Sequence, residues 1–176
     1  MRRRLALAIL PFAASCAPTP RPVASRAPAP LPPIIAASPP PLAADWRDWP
    51  VTPGDWRYAR RGDGGSEATF GSATAVMARL VCDPAQHRVT LVAAGGPGAP
   101  AMTVRTSTAT RTLSTQAVGH MDAWPPVTHE AGLAAADPLL DAMAFSRGRF
   151  AIERAGEAPL VLPSWAEVGR VIEDCR

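Results

Sequence analysis

The chain of 176 residues contains no lysine and no asparagine. Without lysine the phosphate loop G-x-x-x-x-G-K-[ST] is impossible, and without asparagine no N-x-[ST] glycosylation acceptor can exist. Both residues have AT-rich codons, so a GC-rich genome accounts for the pair of absences. Cysteine is nearly missing as well: Cys16, Cys82 and Cys175 are the whole set, and none forms a C-x-x-C redox motif. There is no H-E-x-x-H metal motif, no G-x-S-x-G nucleophile elbow and no G-x-G-x-x-G dinucleotide loop. No apolar run approaches the roughly 20 residues that span a bilayer. Catalytic signatures are therefore lacking, and the information lies elsewhere.

It lies first at the N-terminus. Arg2, Arg3 and Arg4 precede an apolar run from Leu5 to Ala14, followed by Ser15 and Cys16. A charged n-region, a short h-region and small residues make an export signal over residues 1–15. Ala13-Ala14-Ser15-Cys16 resembles the bacterial lipoprotein signal, in which the cysteine becomes the lipid-bearing first residue. That resemblance implies acylation at Cys16, and Ala17, which is not aspartate, implies sorting to the periplasmic face of the outer membrane.

Removing the signal also removes the basicity. The formal charge of +3 comes from 18 basic residues, all arginine, against 15 acidic ones. Three of those arginines leave with the signal, so the exported chain is formally neutral. The basic isoelectric point thus belongs to the targeting segment and gives no warrant for nucleic-acid binding.

Residues 16–44 read as a tether. Ten prolines fall between Ala17 and Leu42, with only Arg21 and Arg26 charged. Proline lacks the N–H and fixes φ, so this stretch builds neither helix nor ladder and favours extended polyproline II. At about 3.1 Å per residue it reaches roughly 80 Å when fully drawn out. A Pro-rich ligand for an SH3-like groove is the alternative reading of the same composition.

Residues 45–176 suffice for one domain with its own core. Val76–Cys82 and His87–Ala93 alternate apolar and polar residues around the Asp83-Pro-Ala-Gln86 turn, predicting a hairpin. Ala101–Thr106 and Thr110–Thr115 predict a second one. A short strand is expected at Ala68–Phe70, after the Arg61-Gly-Asp-Gly-Gly65 turn, and a loose stretch from Gly119 to Gly132. Asp137-Pro138 predicts a capped short helix carrying Leu139, Leu140 and Met143. Arg149–Arg154 and Pro159–Leu162 read as strands. Ser164-Trp-Ala-Glu167 matches a capping box, opening a helix with Trp165, Val168, Val171, Ile172 and Cys175 on its apolar face. The expected fold class is α+β: a small antiparallel β-sheet domain with two short helices, the C-terminal helix docked on the sheet.

With Cys16 given to lipid, Cys82 and Cys175 form an even pair in an oxidising compartment, and a disulfide between them is expected. His120, Asp122, His129 and Glu130 make the one concentration of histidine and carboxylate. Their spacing is not helical, so solvated loop residues are expected, with no metal and no other cofactor. Trp46, Trp49 and Trp56, with Tyr58 beside them, either stack on a sugar or anchor a partner, or else close over the sheet as a lid on the core.

The segments Asp137–Ala151, Leu160–Trp165 and Arg170–Arg176, with Arg79-Leu-Val-Cys-Asp83 and Met102-Thr-Val-Arg-Thr106, resemble an uncharacterised family of Gram-negative envelope lipoproteins. The closing strand, turn and helix are similar, more faintly, to invasion-associated locus B proteins. The tether, the formally neutral domain and the missing catalytic set lead to the expectation of a non-enzymatic, membrane-tethered periplasmic lipoprotein that binds a protein or an envelope component. A glycan- or peptidoglycan-binding module, or a small periplasmic inhibitor (of lysozyme, for instance), is the alternative.

Overall fold

The computed structural model describes residues 42–96, 98, 100–119 and 125–176. The signal, Cys16 and nearly all of the Pro-rich stretch lie outside them, as do His120, Asp122 and Trp124. Two antiparallel sheets and two helices make up the domain, an α+β fold. The larger sheet is ordered β1-β2-β3-β4-β8-β7, from Asp55–Arg60, Ser66–Gly71, Val76–Asp83, Arg88–Ala94, Val127–Ala134 and Gln116–Gly119 respectively. The smaller is ordered β10-β9-β5-β6, from Leu160–Pro163, Arg149–Arg154, Ala101–Arg105 and Thr110–Ser114. Helix α1 spans Pro138–Ala144 and α2 spans Ala166–Asp174, the latter packed across β1, β2 and β3. Among the described residues no helix is long and apolar enough to cross a membrane.

The period-2 alternation of β3 and β4 places Ala78, Leu80 and Cys82 opposite Ala93, Leu91 and Val89, all buried. Their shared core continues through Phe70 and Trp56 of the larger sheet to Met102, Val104, Phe150, Ile152, Leu160 and Leu162 of the smaller. Strand β10 is apolar on both faces, and β9 carries Ala151 between Arg149 and Glu153 on its outer one. Their second face holds Ala151 and Val161, which Trp46 covers together with Trp49. The N-terminal segment is fastened there: Thr52 N–H donates to the Val161 carbonyl and Val161 N–H to Thr52 Oγ1, each at 2.9 Å. A sheet edge that would otherwise invite pairing is thereby occupied.

Three local expectations are corrected. The stretch from Gly119 to Gly132 is not loose throughout, because its last six residues enter β8, which pairs with β4 from Arg88↔Ala134 to Ala94↔Thr128. Its inward positions are His129, Ala131 and Leu133, and small or polar residues on a core face hide the alternation. The Trp56–Arg60 segment, read only for its aromatics, is strand β1. Ser164 does not cap α2: Trp165 holds the N-cap position without a side-chain bond, and Ser164 Oγ finds no partner. Strand β10 runs through Pro163, paired with Arg149, so Ser164 is still extended chain and donates its N–H to the Gly148 carbonyl. Trp165 is consequently 45% exposed and leaves the apolar face, which keeps Val168, Val171, Ile172 and Cys175.

The first helix forms as expected. Asp137 Oδ1 accepts from Leu139 N–H at 2.9 Å with proline at N1, and Arg111 grips both carboxylate oxygens at 2.9 and 2.8 Å. Cys82 and Cys175 lie with their sulfur atoms at disulfide distance and their Cα atoms 5.4 Å apart, tying the end of α2 to β3.

Candidate functional site

Strand β9 carries Phe150, Ile152 and Arg154 on its core-facing side. The alternation demands an apolar residue at position 154, and the chain supplies an arginine whose side chain is only 2% exposed. A buried guanidinium normally has every donor satisfied. Here Nε and Nη1 have no partner among the described residues. Its ion-pair partner among the described residues is Glu157 in the turn that follows, whose Oε2 is 3.9 Å from Nη2, too long for a hydrogen bond. Burial pulls the guanidinium below its ordinary pKa, with the Glu157 charge opposing.

Glu157 is itself held in place. Its Oε1 accepts from the Gly96 N–H, and the Gly96 carbonyl accepts from His129 Nε2 at 2.7 Å. Because the partner is a carbonyl, Nε2 carries the hydrogen of that bond, and the buried Nδ1 has no partner among the described residues. Gly95 sits between the Arg154 guanidinium and the His129 imidazole. A Cβ there would lie 2.6 Å from Arg154 Nη1 and 2.8 Å from His129 Cδ2, so only glycine lets β4 end this close to both side chains.

Beside Arg154 opens a cavity of about 390 Å³ walled by Val76, Met77, Pro125, Pro126 and Leu160, with Glu157 at its rim. Apolar walls with one or two convergent polar groups are the usual make-up of small-ligand sites, and the volume falls in their range. A smaller recess of about 290 Å³ lies on the outer face of the larger sheet, between Arg88, Thr90, Ser114, Gln116 and Glu130. It is polar, and its arginine is exposed.

The residues singled out in the sequence are distributed differently. Trp56 is 4% exposed, its ring 5.2 Å from that of Phe70, within the main core; Trp46 is 9% exposed and Trp49 half-buried, against the other face of the smaller sheet. The three do not share one cluster. His129, expected in a solvated loop, is fully buried in β8. Among the described residues no three histidine, cysteine or carboxylate side chains gather as a metal would require. Arg61 and Asp63 pair with each other at 2.8 Å inside their turn. Arg154, Gly95 and Glu157 escaped sequence reading, although Arg154 left one trace: a charge at the third inward position of Phe150-x-Ile152-x-Arg154.

No protein-family model matches the chain, and no curated protein and no solved structure is significantly similar to it.

Proposed function

We propose that this is an exported, non-enzymatic lipoprotein, anchored through Cys16 at the periplasmic face of the outer membrane, whose β-rich domain binds an envelope component in the cleft beside Arg154. The export reading rests on the n-region, h-region and Cys16 of the sequence, and the paired Cys82 and Cys175 suit an oxidising compartment. The binding reading is carried by one observation: beside an apolar cleft lies a buried arginine, two of whose donors have no partner among the described residues. Leaving such donors unpaired costs free energy that a ligand acceptor would recover.

The test combines labelling and crosslinking. Cells grown with an alkyne fatty acid should label the protein, and Cys16→Ser should abolish the label. A photo-crosslinking residue at Ala158, on the cleft rim, should capture a partner that the same residue at Arg61 does not. Recovery of full-length, unlabelled protein from the cytosol overturns the envelope reading.

A second reading, glycan or peptidoglycan binding, draws support from the polar recess between Arg88, Thr90, Gln116 and Glu130, whose side chains can bond sugar hydroxyls. Retention on isolated sacculi that is lost in Glu130→Ala and kept in Arg154→Met would favour it.

A further inference from the structure

We propose that the cleft beside Arg154 takes a small carboxylate with an apolar body, its carboxylate drawn to the Arg154 guanidinium and its aliphatic part against Val76, Met77, Pro125, Pro126 and Leu160. This deepens the binding reading above and rests on it for biological setting only.

The head group follows from the charge balance of the site. Arg154 is almost wholly withdrawn from water, whereas the side chain of Glu157, its one counter-charge among the described residues, is 28% exposed and spends Oε1 on the Gly96 N–H. Solvent screens the carboxylate more than the guanidinium, and the 3.9 Å gap leaves their attraction incomplete. Among the described residues the cation is therefore under-neutralised, and its unpartnered donors favour an ionised acceptor, since charge-assisted bonds are about twice as strong as neutral ones. A carboxylate also matches the guanidinium in planarity.

The body follows from the walls. Five of the lining side chains named above are aliphatic or proline, and none can bond a sugar hydroxyl or a peptide group. A polar metabolite would strand its remaining groups there. An aliphatic chain would lose nothing and would bury apolar surface. The cavity's size suits a single short chain and excludes a folded partner.

The polar recess at Arg88 does not compete for this ligand. Its arginine is solvated and its walls are hydroxyl, amide and carboxylate, so it offers neither an under-neutralised cation nor an apolar seat.

The experiment uses the full-length chain, oxidised and carrying Cys16→Ser, so that no acyl group and no detergent competes for the cleft. Titration calorimetry with decanoate should show saturable binding, with hexanoate weaker and decanol, which keeps the chain and lacks the charge, weaker by about tenfold or more. Arg154→Met should weaken decanoate by about tenfold to a hundredfold and bring it level with decanol. Ala158→Trp, at an exposed rim position, should block both probes by filling the cleft and leaves the arginine in place. The proposal is overturned if decanol matches decanoate, if acetate matches decanoate, if Arg154→Met binds as the parent does, or if the parent shows no saturable binding. Because the chain is purified whether or not the cell exports it, failure here is separate from failure of the envelope reading. Binding with a cytosolic address sinks only the setting; an envelope address without binding sinks only the ligand.

Discussion

The indole Nε1 of Trp56 donates to the carbonyl of Pro163 at 2.8 Å, joining the first strand of the larger sheet to the last strand of the smaller across 107 residues of sequence. Trp56→Ala should therefore cost about 3–5 kcal/mol in urea unfolding, as expected for a large aromatic removed from a core. Trp56→Phe keeps most of the apolar contact and strands the buried carbonyl, for about 1–3 kcal/mol. Unchanged midpoints in both variants would mean that the ring is not part of the core.

Joining Cys82 to Cys175 closes a loop with a sequence separation of 93 residues. In the chain-entropy model a link of that length stabilises by about 4–5 kcal/mol. Oxidised and reduced protein should differ accordingly in urea midpoint, with α2 the first element to lose amide-exchange protection on reduction. Equal midpoints, or two thiols alkylated without reductant, would show that no bond forms.

Asp137 gives the domain an acid-sensitive corner. Arg111, and to a lesser degree the Leu139 N–H, hold its carboxyl below the ordinary carboxylate range. In the unfolded chain the group titrates near the ordinary aspartate value of 3.8. Its contribution is therefore complete above that pH and is lost as pH falls through the lower native value. Asp174, lowered chiefly by the Tyr58 hydroxyl that donates to it at 2.6 Å, acts in the same direction. Asp137→Ala should destabilise by about 1–2 kcal/mol at neutral pH through loss of the cap. The difference from the parent should shrink towards acid; a gap that stays constant below pH 4 would refute the linkage.

Gly95→Ala tests the crowding around Arg154. The added methyl meets Arg154 Nη1 and His129 Cδ2 inside contact distance, and of the two only the guanidinium has a flexible stem. We expect a loss of about 1–3 kcal/mol, as for overpacked cores. Thermal unfolding measures it, and a stabilised variant would mean that the two side chains do not sit where β4 ends.

What the sequence disclosed depended on how cleanly each segment keeps its period. Ala78, Leu80 and Cys82 against Val89 and Leu91 alternate without interruption, so the β3–β4 hairpin was legible to within a residue. Asp137-Pro138 announced α1 because a capping carboxylate and an N1 proline act locally. Strand β8 was illegible because His129 and Ala131 occupy its core face. The Ser164 box failed for a long-range reason: pairing of Pro163 with Arg149 extends the strand by one residue, which no local motif encodes. The cleft was hidden in the same way. Arg154 at the end of a strand reads as a solvent-facing residue until Leu160, Pro125 and Met77, from three distant segments, are brought around it.

The strip from Trp46 to Thr52 bears on how the domain would behave under mechanical load. It is clasped to the outer face and edge of the smaller sheet by Trp46 against Ala151 and Val161, by Arg149 Nη1 on the Trp49 carbonyl at 3.1 Å, and by the reciprocal Thr52–Val161 bonds. Any pull transmitted along the backbone from residues before Trp46 reaches this clasp before it reaches the shared core. Three hydrogen bonds, one of them through the Thr52 side chain, and a tryptophan contact would bear such a load ahead of the two sheets.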